Sequence, residues 1–281
     1  MSRIEEALQK LQKRQKAGVD SPALVSRPLG TVVSSEHTYG GKAVRFNPEQ
    51  MRANGLLAPD VEERRLAEQY RVIKRPLLRN AEPDHAPPVP RGNLLMVASA
   101  LSGEGKTFTC VNLSLSIARE KDWSVVLIDG DCSKPHLSRS FSAEREPGLI
   151  DLLRDPTLRF DSLVMPTNIP GLFLLPAGSN DPHASELLAS RRMDELCEEL
   201  AAIKGRMFVF DSSPLLLTTE AAVLGSKVGQ VALVVRANDT PRQAVLAALE
   251  KLDSGNAVAC ILNQTYGAGL GFEYGDYYYP T

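Results

Sequence analysis

Residues 100–107, ALSGEGKT, carry the strongest structural signal in this chain. They follow an apolar run, LLMVASA, and precede a segment with helical periodicity, TFTCVNLSLSIARE. Two glycines in such a turn let backbone N–H groups face phosphate oxygens, and the N-terminus of the following helix adds its dipole. Lys106 can reach terminal phosphates, and the hydroxyl of Thr107 can bind Mg²⁺. The spacing therefore predicts a loop that binds nucleotide phosphates; the alternative is a glycine-rich turn with an incidental lysine.

Apolar runs alternate with helical patterns from Asn93 onwards. The runs predict strands at residues 94–100, 124–130, 171–178, 206–213, 230–237 and 257–264. The helical patterns between them cover residues 107–120, 184–203, 220–228 and 241–252. Strands that are apolar on both faces and separated by helices are typical of a mostly parallel sheet. The sequence therefore predicts an α/β fold in which helices flank the sheet on both faces.

The bulk composition excludes several classes of protein. Of the 281 residues, 43% are hydrophobic and 23% are charged, which is ordinary for a globular protein. The net charge of −2 gives no overall basic field, so no nucleic-acid partner is expected. The four cysteines form no CxxC pair, which argues against a zinc site or a disulfide framework. No apolar run reaches the roughly 18 residues of a membrane-spanning helix, and the N-terminus lacks a signal-peptide core, so a cytoplasmic location is expected.

The N-terminal third of the chain is more irregular. Residues 2–16 have the apolar period of an amphipathic helix, and residues 17–59 are predicted to be mostly linker. A second helix is predicted over residues 60–80, although Pro76 should kink or interrupt it. The expected division is an N-terminal amphipathic helix and linker over residues 1–59, a main domain over residues 60–265 and a flexible tail over residues 266–281.

Three aspartates stand at the ends of predicted strands. Asp129 and Asp131 follow VVLI, and Asp211 follows FVF. The carboxyl ends of parallel strands are where such sheets bind ligands, so these side chains are candidates for holding Mg²⁺. One of the first two could instead accept a proton from an attacking hydroxyl, and helix N-capping is the structural alternative. Lys134 either adds positive charge near the phosphates or is a solvated surface lysine.

The combination of GEGKT, VVLIDGDCSKP and FVFDSSP, followed by LVVRANDTPRQAV and ILNQ, resembles the bacterial tyrosine kinases of exopolysaccharide synthesis, the BY-kinases. The resemblance covers about residues 60–281, and the opening MSRIEEALQKL is similar to the tyrosine autokinases found with exosortase and exopolysaccharide loci. It implies a P-loop NTPase-type fold rather than a eukaryotic kinase fold. Residues 100–107 would be the Walker A loop, Asp129 and Asp131 the Walker A′ element, and residues 211–214 the Walker B motif.

The resemblance also implies the chemistry of the site, with ATP and Mg²⁺ as cofactors. The implied nucleotide-binding residues are Gly103, Glu104, Gly105, Lys106, Thr107 and Phe108. The implied metal ligands are Thr107, Asp129, Asp131 and Asp211, and the implied catalytic residues are Lys106, Asp129 and Asp131. In this scheme Asp131, or alternatively Asp129, positions or deprotonates a tyrosine hydroxyl.

The C-terminus supplies candidate acceptors. Four of the last eight residues are tyrosines: Tyr274, Tyr277, Tyr278 and Tyr279. The neighbouring Gly275, Asp276 and Pro280 favour a flexible, exposed segment. The resemblance implies that these tyrosines are phosphorylated between neighbouring subunits. The alternative is a tail that packs its aromatic rings into a groove, or a chance cluster.

The resemblance further implies partners. Glu68, Arg71 and Lys74 match a Glu-x-x-Arg-x-x-Arg pattern that assembles the family into rings, with lysine in place of the last arginine. Spacing of three places them on one helix face, and a solvated charged face is the alternative interpretation. A membrane protein of the polysaccharide chain-length (co-polymerase) type is the implied activator. The chain would then lie at the inner face of the plasma membrane through that partner.

Two other functions remain open on the sequence. Ala100, Ser102 and Ser133 depart from the family pattern, which leaves a non-catalytic, ATP-ordered scaffold of a polysaccharide exporter as an alternative. A partitioning or division-site ATPase of the ParA/MinD type shares the architecture. Such ATPases carry a signature lysine near the start of the loop, where this chain has Leu101.

Overall fold

A computed structural model of the protein describes residues 39–265, except residues 83, 85, 86 and 254. The helix predicted over residues 2–16 and the four tyrosines near the C-terminus lie outside the described residues.

The predicted mostly parallel sheet is confirmed, and it is built from the predicted apolar runs. Its strands are β1 (Leu94–Ser99), β2 (Ser124–Asp129), β3 (Met165–Pro166), β4 (Leu172–Leu175), β5 (Arg206–Asp211), β6 (Gln230–Arg236) and β7 (Ala257–Asn263). Within the described residues they form one seven-stranded sheet in the order β3-β4-β2-β5-β1-β6-β7. All neighbouring strands are parallel except β3 and β4, which pair antiparallel. The two-residue strand β3 is too short to be detected from sequence periodicity.

The order of the strands brings the acidic strand ends to one place. Strand β5 lies between β1 and β2, so Asp211 at its end neighbours both the strand that leads into residues 100–107 and the strand that ends at Asp129. Asp129 and Asp211 are direct partners in the register of β2 and β5. Because parallel strands end at the same edge, this edge of the sheet collects the candidate site residues.

Helices cover both faces of the sheet. They are α1 (Pro48–Ala53), α2 (Asp60–Ala81), α3 (Lys106–Ala118), α4 (His136–Ser140), α5 (Leu149–Arg154), α6 (Phe160–Leu163), α7 (Ala184–Ala189), α8 (Arg191–Ala201), α9 (Thr219–Gly225) and α10 (Arg242–Leu249). Along β1 the side chains alternate, so that Met96 enters the core layer shared with α5–α10 and Val97 the layer shared with α1–α4. No helix in the described ranges is both long and apolar enough to cross a membrane.

Two predicted helices differ in detail from the structure. The pattern over residues 184–203 forms two helices, because Ser190 adopts an extended backbone and its side chain accepts a hydrogen bond from the N–H of Met193, which starts α8. Helix α2 continues through Pro76, where an interruption was expected. Proline removes the hydrogen bond to the carbonyl of Val72, and Val72 is exposed, so water can satisfy that carbonyl.

Residues 39–59, which we call the strap, differ from the linker expected there. They belong to the same compact unit as the rest of the described chain, since that unit begins at residue 38. Phe46, Met51 and Leu56 are buried in the core layer of α3. The N–H of Phe46 donates to the Asn168 side chain at 2.6 Å, and that side chain donates back to the Phe46 carbonyl. Three widely spaced anchors in irregular backbone produce no periodic signal, which explains why the sequence suggested a linker.

We predict that Met51→Ala lowers the free energy of unfolding by about 2–5 kcal/mol, because it removes a fully buried side chain from a packed core. Urea denaturation followed by circular dichroism measures this change. Glu49→Ala, in the same helix but exposed, is the control and should change stability by less than about 0.5 kcal/mol. Equal, negligible effects of the two substitutions would mean that the strap does not contribute to the core.

Candidate active site

A cavity of about 970 Å³ lies at the edge of the sheet where β1, β2 and β5 end. We call it the main cavity. Residues 102–103 and 105–108, Asp131 and Ser213 line it from the sheet side, and Gln50 and Asn54 of the strap line it from the opposite side. Part of its wall therefore comes from a segment that the sequence did not connect with the site.

The loop between β1 and α3 has the predicted conformation. Gly103 and Gly105 have φ values of 83° and 91°, which is the left-handed region that glycine enters at little cost. Gly105 is the N-cap residue of α3, so the free N–H groups of the first helical turn begin at Lys106. A Cβ at Gly105 would lie 2.1 Å from the side-chain nitrogen of Asn263, so the position also requires glycine for space.

Ala100, which replaces the usual first glycine of such loops, is compatible with this geometry. It is fully buried, and it is not among the described non-glycine residues with positive φ. Its carbonyl accepts the N–H of Leu216, and the carbonyl of Ser99 accepts the N–H of Leu215. The loop therefore begins as a continuation of β1 beside β5, and alanine fits there without backbone strain.

Glu104 holds the loop in shape. Its side chain is buried and does not line the main cavity. One carboxylate oxygen accepts the N–H of Leu101 at 2.6 Å and the other accepts the Thr240 hydroxyl. Asn263, at the end of β7, donates to the Glu104 carbonyl at 2.9 Å. The sequence suggested Glu104 as a nucleotide contact; in the structure its side chain joins the loop to the segment after β6, and its backbone carbonyl joins the loop to β7.

Asp211 is the buried acid that interacts with the start of α3. Burial raises the pKa of Asp211 to about 6, while the charge of Lys106 and the side chain of Thr107 act to lower it. Its Oδ1 atom is buried and has no hydrogen-bond partner among the described residues. A buried carboxylate oxygen without a partner is costly, so it marks a place where a metal ion or an ordered water belongs.

Asp129, a predicted metal ligand, has both carboxylate oxygens engaged in hydrogen bonds within the chain. Its Oδ2 accepts the N–H of Ser138 at 2.8 Å and the Ser138 hydroxyl at 2.7 Å, and its Oδ1 accepts the N–H of Asp131 at 3.2 Å. Burial, together with the charge of Asp211, raises the pKa of Asp129 to about 7. Asp129 does not line the main cavity, so its visible function is to fix α4 and the segment that carries Asp131.

Asp131 is the carboxylate that faces the main cavity. Its Oδ2 lies 3.8 Å from the Lys106 Nζ, and its Oδ1 accepts the N–H of Lys134 at 3.0 Å. Among the described residues that line this cavity it is the single acidic one. The sequence treated Asp129 and Asp131 as equivalent candidates, and the structure separates them by the direction of their side chains.

The donor set fits magnesium held with a nucleotide rather than magnesium held by protein alone. No group of three or more His, Cys, Asp or Glu side chains in the described part of the chain is placed to hold a metal ion. Mg²⁺ in phosphate sites is bound through one or two protein oxygens, with phosphate and water completing its shell. Thr107 and the unpartnered oxygen of Asp211 meet this requirement next to Lys106.

A second cavity, of about 560 Å³, adjoins the loop on the side of β7. Phe108 and Gly105 line it as well as the main cavity, and Asn263, Gln264 and Gln69 bring amide groups to it. An aromatic ring beside amide donors and acceptors suits a planar heterocycle. Of these residues the sequence pointed only to Gly105 and Phe108.

The three charged residues predicted on α2 are not equivalent. Glu68 and Arg71 form an exposed ion pair with each other. Lys74 is buried, where its Nζ donates to the Ser116 carbonyl at 2.6 Å and pairs with Glu120 at 2.7 Å. Lys74 therefore joins α2 to the end of α3 inside one chain, which leaves Glu68 and Arg71 as the accessible part of the predicted interface.

Comparisons with known proteins place these features in a wider context. No family model matches the chain. Tyrosine-protein kinase YwqD of Bacillus subtilis (strain 168) is 30% identical over 210 residues, which are 75% of this chain and 85% of YwqD. Tyrosine-protein kinase Wzc of Salmonella typhi is 32% identical over 192 residues, which are 67% of this chain and 26% of Wzc. The chain thus spans most of YwqD but only about a quarter of the length of Wzc and of several other relatives.

Solved structures agree with these relatives. The VpsO kinase domain superposes with a TM-score of 0.59 at 28% identity, covering 74% of this chain and 100% of that domain. The BceF tyrosine kinase domain gives a TM-score of 0.57 at 27% identity, covering 75% of this chain and 86% of that one. Sequence and fold therefore point to the same group of enzymes, which confirms the resemblance seen in the motifs.

We predict that Thr240→Val lowers the free energy of unfolding by about 1–3 kcal/mol, because the buried Glu104 carboxylate loses a donor. Thr157→Val is the matched control, since the Thr157 hydroxyl makes the same kind of bond to Asp155 at an exposed position, and it should cost less than about 0.5 kcal/mol. Chemical denaturation compares the two. An equal effect at both sites would contradict a structural role for the Glu104 tether.

Proposed function

The chain belongs to the family of bacterial tyrosine-protein kinases, and from this premise we propose that it transfers the γ-phosphoryl group of ATP to C-terminal tyrosines of a neighbouring copy. The observation that carries the proposal is the meeting of Lys106, Thr107 and Asp131 in the lining of one cavity. The Lys106 Nζ lies 3.8 Å from the Asp131 carboxylate, and the buried carboxylate of Asp211, which has one unpartnered oxygen, interacts with Lys106 and Thr107. A phosphate site and an acid that can act as a base are therefore adjacent.

The loop and α3 would bind the phosphates of ATP. The loop residues Gly103 and Gly105 line the cavity at the N-terminus of α3, where backbone N–H groups would bind phosphate oxygens, and Lys106 would add a full positive charge for the terminal phosphate. Thr107 and Asp211 would hold Mg²⁺, which when bound neutralises charge on the transferring group. The second cavity beside Phe108 would take the nucleoside. This division uses every predicted nucleotide-binding residue, with Glu104 contributing through the shape of the loop.

Asp131 is the group we assign to the acceptor hydroxyl. A free phenol has a pKa near 10, so a carboxylate close to the phosphate site is useful for positioning the hydroxyl and accepting its proton. Asp131 faces the cavity, whereas the oxygens of Asp129 are occupied by Ser138 and by the N–H of Asp131 itself. Asp129 would then act on the reaction only through the position of Asp131.

The acceptors we propose are Tyr274, Tyr277, Tyr278 and Tyr279. The described chain ends at Thr265, shortly after the last residue of β7, Asn263. The Asn263 side chain donates a hydrogen bond to the Glu104 carbonyl of the phosphate loop. The tail therefore leaves the described residues at the edge of the sheet that carries the main cavity. Copies that assemble with these edges near one another would present tails to each other's sites.

Assembly and location complete the proposal. We propose that the chain forms a homo-oligomer through Glu68 and Arg71, and that a membrane protein of the polysaccharide chain-length type activates it at the inner face of the plasma membrane. The resemblance to kinases of exopolysaccharide synthesis supports this setting. Regulation of exopolysaccharide synthesis or export is the corresponding role.

We predict that the purified chain incubated with Mg·ATP gains phosphate on the tail tyrosines, as read by mass spectrometry of tail peptides. Lys106→Met should abolish the modification, because the charge that faces the terminal phosphate is removed. Lys121→Met is the matched control and should keep full activity, since Lys121 is exposed between α3 and β2, at the opposite edge of the sheet.

The same experiment separates the alternatives. ATP turnover with an unmodified tail would indicate an ATPase of the ParA/MinD type, and neither turnover nor modification would indicate an ATP-ordered scaffold. Mixing a tailless chain with a Lys106→Met chain tests transfer between copies. Phosphate on the Lys106→Met tail supports it, and its absence would limit the reaction to one chain.

We predict that Glu68→Ala combined with Arg71→Ala shifts the oligomer towards monomer in analytical ultracentrifugation and leaves the free energy of unfolding within about 0.5 kcal/mol, because both side chains are exposed. Lys74→Met should leave the oligomer unchanged and lower the free energy of unfolding, because the contacts of Lys74 lie within one chain. An unchanged oligomer in the double variant would exclude this face of α2 as the interface.

A further inference from the structure

We propose that the main cavity contains a second anion-binding subsite, formed by His136 and Arg139 of α4 with Asn54 of the strap. It would bind a negatively charged group on the segment that carries the acceptor tyrosine. The inference rests on the proposed kinase function, because it concerns the acceptor side of the same cavity. It adds a preference for acidic or already phosphorylated segments to that function.

The subsite lies on one face of a short helix. His136 and Arg139 are three residues apart, so they lie on the same side of α4; both are exposed and both line the main cavity. Leu137 and Ser138 on the other side are buried in the fold. The Arg139 guanidinium makes no hydrogen bond or ion pair with any described residue, so its donors are available to a ligand.

Asp131 marks the boundary between the two halves of the cavity. One of its oxygens faces Lys106 of the phosphate loop, and the other accepts the N–H of Lys134, on the segment that leads into α4. An acceptor hydroxyl placed at Asp131 therefore has Lys106 and the nucleotide phosphates on one side. On the other side, the residues next to the acceptor tyrosine in its own segment would meet Arg139 and His136.

The lining of the main cavity carries more positive charge than a nucleotide site alone requires. The described lining contains three cationic side chains, Lys106, Lys134 and Arg139, together with His136, against the single carboxylate of Asp131. Lys106 and the loop amides already face the phosphates. Arg139 on α4 is thus left for a second anion, and an arginine is suited to a carboxylate or a phosphate because its fork can bind two oxygens at once.

The wall is held rigidly, as a binding subsite needs. Asn54 donates to the Ser140 hydroxyl at 3.3 Å, and that hydroxyl donates to the His136 carbonyl at 2.9 Å. The strap is fixed behind Asn54 by Asn112, whose side chain donates to the Leu56 carbonyl at 2.9 Å. Asp129 anchors the start of α4 through Ser138. The strap and Asp129 therefore fix the backbone of α4, from which Arg139 and His136 extend, before any ligand arrives.

The C-terminal segment of this chain has the matching chemistry. Glu273 precedes Tyr274, and Asp276 precedes Tyr277, so each of these tyrosines has a carboxylate next to it. A phosphotyrosine already formed in the cluster would offer a stronger anion, with a charge of roughly −1.5 to −2. Carboxylate and phosphotyrosine share the chemistry that Arg139 recognises, and peptides that carry one or the other distinguish them.

The test uses the full chain and three synthetic peptides with the sequence of residues 270–281. One is unmodified, one carries Glu273→Gln and Asp276→Asn, and one carries phosphotyrosine at Tyr279. Initial rates with Mg·ATP give KM and kcat for each peptide, and fluorescence anisotropy gives the Kd of each labelled peptide in the presence of Mg·ADP. The variants are Arg139→Gln, the conservative Arg139→Lys, and Lys251→Gln as a charge-matched control at the opposite edge of the sheet, between α10 and β7.

Arg139→Gln should raise the KM and the Kd of the charged peptides roughly three- to tenfold, as expected for one charge-assisted contact. Arg139→Lys should restore part of the loss, and Lys251→Gln should have no effect. If the rise in Kd caused by Arg139→Gln is absent for the peptide with Glu273→Gln and Asp276→Asn, the bound anion is a carboxylate. An effect seen only with the phosphopeptide assigns it to phosphotyrosine, so that each transfer favours the next.

The proposal is overturned if Arg139→Gln changes the Kd of all three peptides equally or of none. It is also overturned if the variant raises the KM for ATP instead, because Arg139 would then serve the nucleotide. The anisotropy measurement needs no catalysis. If charge-dependent binding persists while no phosphotyrosine forms, the kinase proposal fails and the subsite stands. If phosphotyrosine forms without any charge dependence of binding, the subsite fails and the kinase proposal stands.

Discussion

Two carboxylates buried side by side constrain the whole edge of the sheet that carries the site. Asp129 and Asp211 are register partners at the ends of β2 and β5, and burial raises the pKa of each. Neighbouring acids cannot compensate each other, so each must take favourable partners from elsewhere. Asp129 takes the N–H and hydroxyl of Ser138, which fixes α4, and Asp211 takes the positive environment of Lys106 at the start of α3. The positions of α4 and of the phosphate loop follow from these two requirements.

A third buried acid stabilises the loop from the other side. Glu104 accepts the N–H of Leu101 and the Thr240 hydroxyl, while Asn263 bonds its carbonyl. The loop is thereby attached to the segment that follows β6 and to the end of β7, as well as to β1 and α3. A phosphate-binding loop must hold its amides in position before the ligand arrives, and this attachment fixes its backbone at a point where Gly103 and Gly105 would otherwise leave it flexible.

The parts of the structure that the sequence could predict are those with a local signal. Six strands follow from apolar runs, and the loop follows from two glycines, Lys106 and Thr107 in a strand–helix context. The strap could not be predicted, because Phe46, Met51 and Leu56 are spaced without a helical or strand period and are buried by tertiary contacts alone. The same limit applies to Lys74, whose pairing with Glu120 spans two helices, and to Glu104, whose partner Thr240 is distant in the chain. Sequence spacing gives the residue type at a site but not the direction of its side chain.

That limit is clearest for Asp129 and Asp131, which a motif treats as a pair. They differ because Asp129 is the last residue of β2 and is buried, whereas Asp131 lies beyond the end of the strand, where the regular alternation of side chains no longer applies, and lines the cavity near Lys106 and the N–H of Lys134. Asp129 therefore fixes the position of α4, and Asp131 lines the cavity. Lys106 and Arg139 line the same cavity as Asp131, so under the proposed subsite the cavity would bind an anion on each side of that carboxylate. In the proposed transfer an anionic donor would meet an acceptor segment with acidic neighbours, and a cavity whose positive charge served the nucleotide alone would leave that segment repelled by the nucleotide it must approach.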